Sequence, residues 1–259
     1  MTGSRRRGIV LQYRDRQLLS ELGVMRVIDR EMTKLVAGFG STTQVNTRLL
    51  ELARAGLLRR FFVGSIGCGR KAVYTLSAKG AQLVNSKLGG INRPSGRLVV
   101  GDAFVEHQMG INEVYLAVKH RPLPQTDIRL TRWHTFRQPI SDSIKLTPDG
   151  YFELAIGNTT RTMFLEVDRG TEALSVWQQK TASYVQLAIS GDFPKIFRQA
   201  QFRVLVVAGS ERRISNIRAT VAKSTDKIFW LTTFDLIHRE GFWSPIWLRP
   251  TGDQRHSLL

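Results

Sequence analysis

Cysteine is nearly missing from this chain: Cys68 is the single one among 259 residues. One thiol excludes an internal disulfide and a cysteine-based zinc cluster, and within GSIGCGRK it reads as a small residue in a turn. Histidine is scarce as well, and the five present are scattered without zinc-binding spacing. No run of about 18 apolar residues occurs, and the opening MTGSRRRGIVLQYRDRQ lacks the apolar stretch of about 7 to 15 residues that a signal peptide needs. A cytoplasmic protein, associated with the nucleoid, is therefore expected. Neither GxGxxG nor GxxxxGK followed by Ser or Thr is found, which removes the main support for dinucleotide enzymes and nucleotide-driven motors. GxSxG, internal repeats and low-complexity tracts are absent too.

Acidic residues are also in short supply, 21 against 38 Lys and Arg, for a net charge of +17. The imbalance is concentrated at one end. Residues 1–100 carry 18 basic and 5 acidic side chains, a net of +13, whereas residues 101–259 carry 20 and 16, a net of +4. The first part calls for a polyanion, and with no Lys-rich amphipathic helix to suit a membrane surface, nucleic acid is the better partner. A hydrophobic share of 42% is enough to bury a core in one large or two modest domains.

Between residues 15 and 36, Leu18, Leu19, Leu22, Met25, Ile28, Met32, Leu35 and Val36 recur at helical spacing, with Gly23 marking a break between two helices. GFGSTTQVNTRLLELARAGLL then predicts a third helix, N-capped by Ser41 or Thr42, with Val45, Leu49 and Leu52 inward and Gly56 at its end. Its polar residues Thr43, Gln44, Asn46, Thr47 and Arg48 suit base edges and phosphates in a major groove. LRRFFVGS and RKAVYTL read as two strands around a glycine-rich tip, followed by a helix starting at SAKG. Helix, helix, recognition helix, hairpin and closing helix make a winged helix-turn-helix over residues 1–88, in which Arg59, Arg60, Arg70 and Lys71 straddle a phosphate backbone.

Residues 89–102, in SKLGGINRPSGRLVVGD, read as a linker. From 103 to 259 the patterns give a helix over AFVEHQMGINEVYLAVKH, then three extended segments, IRLTRWHTFRQ, SIKLTPDGYFELAIG and TRTMFLEVD. A helix over EALSVWQQKTASYVQLAIS, the strand FRVLVVAG, the helix ERRISNIRATVAKS and the strand KIFWLTTF follow. The fold class is α/β, a mixed sheet with helices on its faces. Asp149 lies in a PDG turn and Glu166 in FLEVD on the next strand, so the two carboxylates can meet. Such a pair of hard oxygens suits Mg²⁺ or Mn²⁺ and phosphodiester hydrolysis. Alternation can equally point Glu166 and Asp168 to solvent, and Asp149 can be only a turn former.

PDGYFEL, FLEVDRGTE and QQKTASY in this order resemble the PD-(D/E)xK nuclease fold, of αβββαβ restriction-endonuclease-like type. With the winged helix upstream, the chain over residues 15–240 resembles the replication-relaxation family, which includes nuclease-like plasmid mobilisation relaxases. The resemblance implies Asp149 and Glu166 as metal ligands, Glu106 as a third, and Mg²⁺ or Mn²⁺ as cofactor. The nuclease motif places a lysine two residues after the glutamate, where this chain has Asp168. Either Lys180 on the following helix takes over that role, or Asp168 pairs with Arg169 or Arg161 and the site is inactive. The first case implies an enzyme that nicks double-stranded DNA at a plasmid or mobile-element origin. The second implies a DNA-binding accessory protein that dimerises or recruits a relaxosome, replication or transcription protein.

Overall fold

The computed structural model describes residues 9–64, 70–86 and 102–259. Cys68, the tip of the expected wing and all but the last residue of the expected linker fall outside them. The chain divides into two compact units, Met1–Asn112 and Glu113–Leu259.

The first unit opens with α1 (Tyr13–Met25), α2 (Arg30–Ala37) and α3 (Thr42–Arg54), followed by β1 (Leu58–Val63), β2 (Lys71–Leu76) and α4 (Ala78–Leu83). This order is consistent with a winged helix. Leu18, Leu19, Leu22, Val45, Leu49 and Leu52, all buried, form its core. Ser41 Oγ caps α3 by accepting from Gln44 N at 3.3 Å, leaving its first turn open at the surface. β1 and β2 pair antiparallel, and Ile28 forms an isolated antiparallel bridge to Tyr74.

Gly23, expected to break the first helix, lies inside α1. The chain turns instead at Arg26, whose φ is +66°. The glycine serves packing: a Cβ there would meet Ser86 Oγ at 2.7 Å.

α5 (Asp102–Lys119) spans the division between the units. In its amino-terminal part Asn112 Nδ2 donates to Val27 O at 2.7 Å, and Gln108 Oε1 accepts from Arg26 Nη1 at 3.3 Å. Among the described residues no helix is long and apolar enough to cross a membrane.

The second unit is built on β3 (Ile128–His134), β4 (Gly150–Ile156), β5 (Thr159–Asp168), α6 (Leu174–Ile189), α7 (Asp192–Phe197), β6 (Arg203–Ala208), α8 (Glu211–Val221), β7 (Phe229–Thr233), α9 (Phe234–Glu240), β8 (Trp247–Leu248) and β9 (Arg255–His256). The strands form one mixed sheet in chain order. β3, β4 and β5 are antiparallel; β5, β6 and β7 are parallel; β8 and β9 return antiparallel. β5 lies inside the sheet between β4 and β6, and every residue from Thr162 to Asp168 is buried, as expected for a strand covered on both faces. The segment expected as one strand over residues 143–157 is extended in the sheet only from Gly150.

Candidate active site at the carboxyl end of β5

Along β5, Phe164, Glu166 and Asp168 share one face by the two-residue alternation of a strand. Phe164 packs with Trp177 and Tyr184 of α6 in the core, so this face lies beneath that helix. On α6, Trp177, Lys180, Thr181 and Tyr184 recur at i, i+3, i+4 and i+7 and form one stripe. Strand and helix thereby set two acids opposite four side chains, three of them hydrogen-bond donors to those acids.

Glu166 has no exposed surface. Its Oε2 accepts from Lys180 Nζ at 2.9 Å and its Oε1 from Tyr184 Oη at 2.6 Å. Lys180, 17% exposed, also donates to both oxygens of Glu172 at 2.9 Å. Asp149 sits just before β4, where its N donates to Leu165 O at 3.1 Å and its Oδ2 accepts from Val167 N at 2.7 Å. A carboxylate bonded to that amide lies beside Glu166.

The electrostatics follow from this crowding. Burial pushes the Glu166 carboxyl up to about 7; Lys180 opposes the rise and the negative charge of Asp149 adds to it. Burial alone would lower Lys180, but Glu166 and Asp149 outweigh it and hold the ammonium charged. Burial, with Glu166 alongside, raises the Tyr184 phenol well above its ordinary value, keeping it a donor.

Asp168 has a different partner from either one expected. Arg213 at the start of α8 clamps it, Nε to Oδ1 at 2.8 Å and Nη2 to Oδ2 at 2.7 Å. Trp177 Nε1 and Gly170 N complete its shell at 2.7 and 2.6 Å. Burial raises this carboxyl, but these hydrogen bonds outweigh it and hold it below its ordinary value. Arg169 faces Glu113 at 3.6 Å, and Arg161 donates to Leu258 O. The parallel register of β5 with β6 pairs Asp168 with Ala208 and so delivers α8 to this point. Neither acid points to solvent, because the sheet face they share is roofed by α6.

Asp149, Glu166 and Lys180 are thus brought together within the second unit. Glu106 belongs to the first unit, at an exposed position of α5. Among the described residues no group of three or more His, Cys, Asp or Glu side chains could hold a metal ion, so the expected three-ligand set finds no support and two carboxylates remain. Carboxylate oxygens are the ligands a hard divalent cation takes; here both of Glu166 accept hydrogen bonds, from Lys180 and Tyr184, and one of Asp149 accepts from Val167 N. Sequence pattern does not mark Glu172, Tyr184 or Arg213 as members of the site. Glu172 stands where the pattern starts a helix, whereas it precedes α6, and Tyr184 falls on the core stripe.

In the first unit Thr43, Gln44, Asn46 and Thr47 are exposed on α3. Arg48 is turned inward: it donates to Asp15 through Nε at 2.9 Å and Nη2 at 2.5 Å, and to Glu51 through Nη1 at 2.7 Å. Lys71, though exposed, pairs with the buried Asp29. Arg59, Arg60 and Arg70 are exposed, and Arg60 and Arg70 flank the Phe62 ring at 4.6 and 5.8 Å.

An α/β protein with a carboxylate and lysine cluster at the carboxyl end of a buried interior strand is the class these observations define. The chain belongs to the replication-relaxation family, whose model matches residues 17–197. The match runs from α1 to the end of α7 and takes in Asp149, Glu166 and Lys180. No curated protein matches it. Among solved structures, the restriction endonuclease FokI bound to DNA is similar at a TM-score of 0.31 and 12% identity, over 87% of this chain and 44% of that one. The chain spans less than half of FokI, and at that TM-score the likeness carries no weight here.

Proposed function

We propose that this protein binds double-stranded DNA through its first unit and cuts one strand by metal-dependent phosphodiester hydrolysis in its second. Membership in the replication-relaxation family and the +13 charge of residues 1–100 support the DNA-related role. The observation that carries the catalytic reading is Lys180 Nζ, 2.9 Å from Glu166 Oε2. It supplies from α6 the cation that the nuclease motif takes from the position of Asp168.

Asp149 and Glu166 would hold a divalent cation, Mg²⁺ or Mn²⁺. Bound there, it would polarise a phosphate oxygen and lower the pKa of a coordinated water. Lys180, kept charged by its acidic neighbours, would stabilise negative charge growing on the phosphate. Tyr184 and Glu172 act as positioning residues, the first fixing the Glu166 carboxyl and the second fixing the Lys180 ammonium. The Arg213 and Asp168 pair anchors the carboxyl end of β5 below them. On the first unit, Thr43, Gln44, Asn46 and Thr47 would read bases, and Arg59, Arg60 and Arg70 would grip phosphates; Arg48 and Lys71 serve mainly to pair Asp15 and Asp29.

A second reading is a DNA-binding accessory protein in which the cluster only stabilises the fold. It is favoured by the hydrogen bonds that occupy both oxygens of Glu166. Supercoiled plasmid carrying the cognate origin separates the two. Relaxed circles that form with Mg²⁺ or Mn²⁺, and disappear with chelator and in Glu166→Ala and Asp149→Asn, are expected of the enzyme. Equal relaxation by Glu166→Ala, or none by the wild-type protein, selects the accessory role.

A further inference from the structure

A second concentration of charge lies at the opposite ends of the same strands. A pocket of about 510 Å³ is formed where β5, β6 and β7 begin, and Arg161, Arg203, Lys227 and Arg249 line it without any Asp or Glu. Arg161 is five residues from Glu166 along β5, roughly 16 Å at about 3.3 Å per residue, so the two sites are separate.

The hydrogen bonds of these arginines leave their charges unbalanced. Arg161 Nη1 and Arg203 Nη1 both donate to Leu258 O at 2.6 Å, and Arg249 Nη2 donates to Asp226 O at 2.8 Å and to Lys227 O. Carbonyls satisfy donors but cancel no charge. Asp226 favours the charged form of Arg249, yet it makes no ion pair with it and does not line the pocket. Burial, with repulsion from Arg161 and Arg249, lowers Arg203 to about 10.

Trp230 supplies an independent indication. Its side chain is 8% exposed, its ring lies 4.5 Å from the Arg203 guanidinium and 4.7 Å from that of Arg249, and its Nε1 has no hydrogen-bond partner. A buried donor without a partner is destabilising, and an acceptor on a ligand would satisfy it. Phe202 adds an apolar wall. The volume lies within the roughly 300–1,000 Å³ of small-molecule sites, and guanidinium forks match the oxygens of phosphate.

From this arrangement we infer a second ligand site, for a phosphate-bearing molecule of nucleotide size, with Arg161, Arg203 and Arg249 on the phosphate and Trp230 Nε1 as a further donor. A free nucleotide and a nucleotide unit of a nucleic-acid strand present the same phosphate chemistry. The inference is independent of catalysis at Glu166.

The test follows the Trp230 indole N–H by NMR in the full chain, assigned by its loss in Trp230→Phe, as inorganic pyrophosphate or dAMP is added without divalent metal. The resonance is expected to move and saturate. Arg203→Gln and Arg249→Gln should weaken binding roughly 10-fold or more, one charge-assisted hydrogen bond each. Arg203→Lys, which keeps the charge but loses the fork, should recover only part of the affinity lost in Arg203→Gln, and Lys180→Gln should leave binding unchanged. A short single-stranded oligonucleotide that displaces dAMP at this resonance identifies a strand as the source; one that does not identifies a free nucleotide. The site is refuted if millimolar pyrophosphate and dAMP leave the Trp230 signal in place, or if both glutamine variants, folded by circular dichroism, bind as the wild-type protein does. Loss of plasmid nicking bears only on the carboxylate site, and a still Trp230 signal only on this one.

Discussion

Glu166 combines complete burial with two donors and a nearby negative charge, so the pH at which it loses its proton depends on the fold. Its carboxyl is raised from 4.5 to about 7 on folding. The folded state therefore holds a proton that the unfolded chain releases, and this contribution to stability is full below about 4.5 and lost as pH rises through about 7. The difference in unfolding free energy between wild type and Glu166→Gln should change over that window by on the order of 3 kcal/mol, read from denaturant titrations at successive pH values. A difference independent of pH would mean that Glu166 is ionised throughout. Asp168 behaves in the opposite sense. Its lowered carboxyl contributes stability that is present above 3.8 and lost as pH falls through its folded value. Arg213→Met leaves that buried acid without its main partner and should cost about 3–5 kcal/mol at neutral pH, measured by the same titrations.

At the scale of elements, α1 and α3 are pinned together by Asp15 and Arg48, of which sequence pattern assigns Arg48 to DNA. Asp15 is buried, accepts from Gln12 N at 2.7 Å in a capping box at the start of α1, and receives the Arg48 fork from α3. Arg48 is only 16% exposed. Arg48→Ala should destabilise the protein by about 3 kcal/mol, since it leaves a buried carboxylate unpaired, whereas Arg59→Ala and Arg70→Ala on the exposed hairpin should change melting temperature little and weaken DNA binding. Thermal melts alongside fluorescence anisotropy with labelled duplex distinguish these outcomes. An Arg48→Ala protein of wild-type stability with no DNA affinity would return Arg48 to the DNA interface.

For the whole molecule, the division of charge governs how DNA would be approached under the proposed function. A surplus of +13 in residues 1–100 against +4 in the remainder implies that binding releases counterions mainly at the first unit. The logarithm of affinity should fall linearly with the logarithm of salt concentration. Replacing Arg59, Arg60 and Arg70 together should flatten the slope by about 0.9 for each phosphate that is no longer neutralised. An unchanged slope in the triple variant would mean that other residues neutralise the phosphates.

Local patterns in the sequence determined much of the architecture: the helices α1, α2, α3, α5, α6 and α8, the hairpin of β1 and β2, and the buried strands β5, β6 and β7. Periodicity, caps and turn residues act over a few positions, and these elements obey them. The short elements α7, α9, β8 and β9 have too few residues to show a period, so sequence pattern does not reveal them. Asp149 and Glu166 were legible because a hairpin ties neighbouring strands in a known register. Lys180 was legible as a candidate because one helix turn separates it from Trp177. The tertiary structure alone decided that Glu172 shares Lys180, that Asp168 takes Arg213 from 45 residues away, that Arg48 faces Asp15, and that Arg161, Arg203 and Arg249 gather around Trp230. Except for the Glu172 contact, which spans only eight residues into α6, these contacts join segments whose proximity depends on parallel crossovers or helix packing, and on burial making an unpaired charge too costly to leave alone.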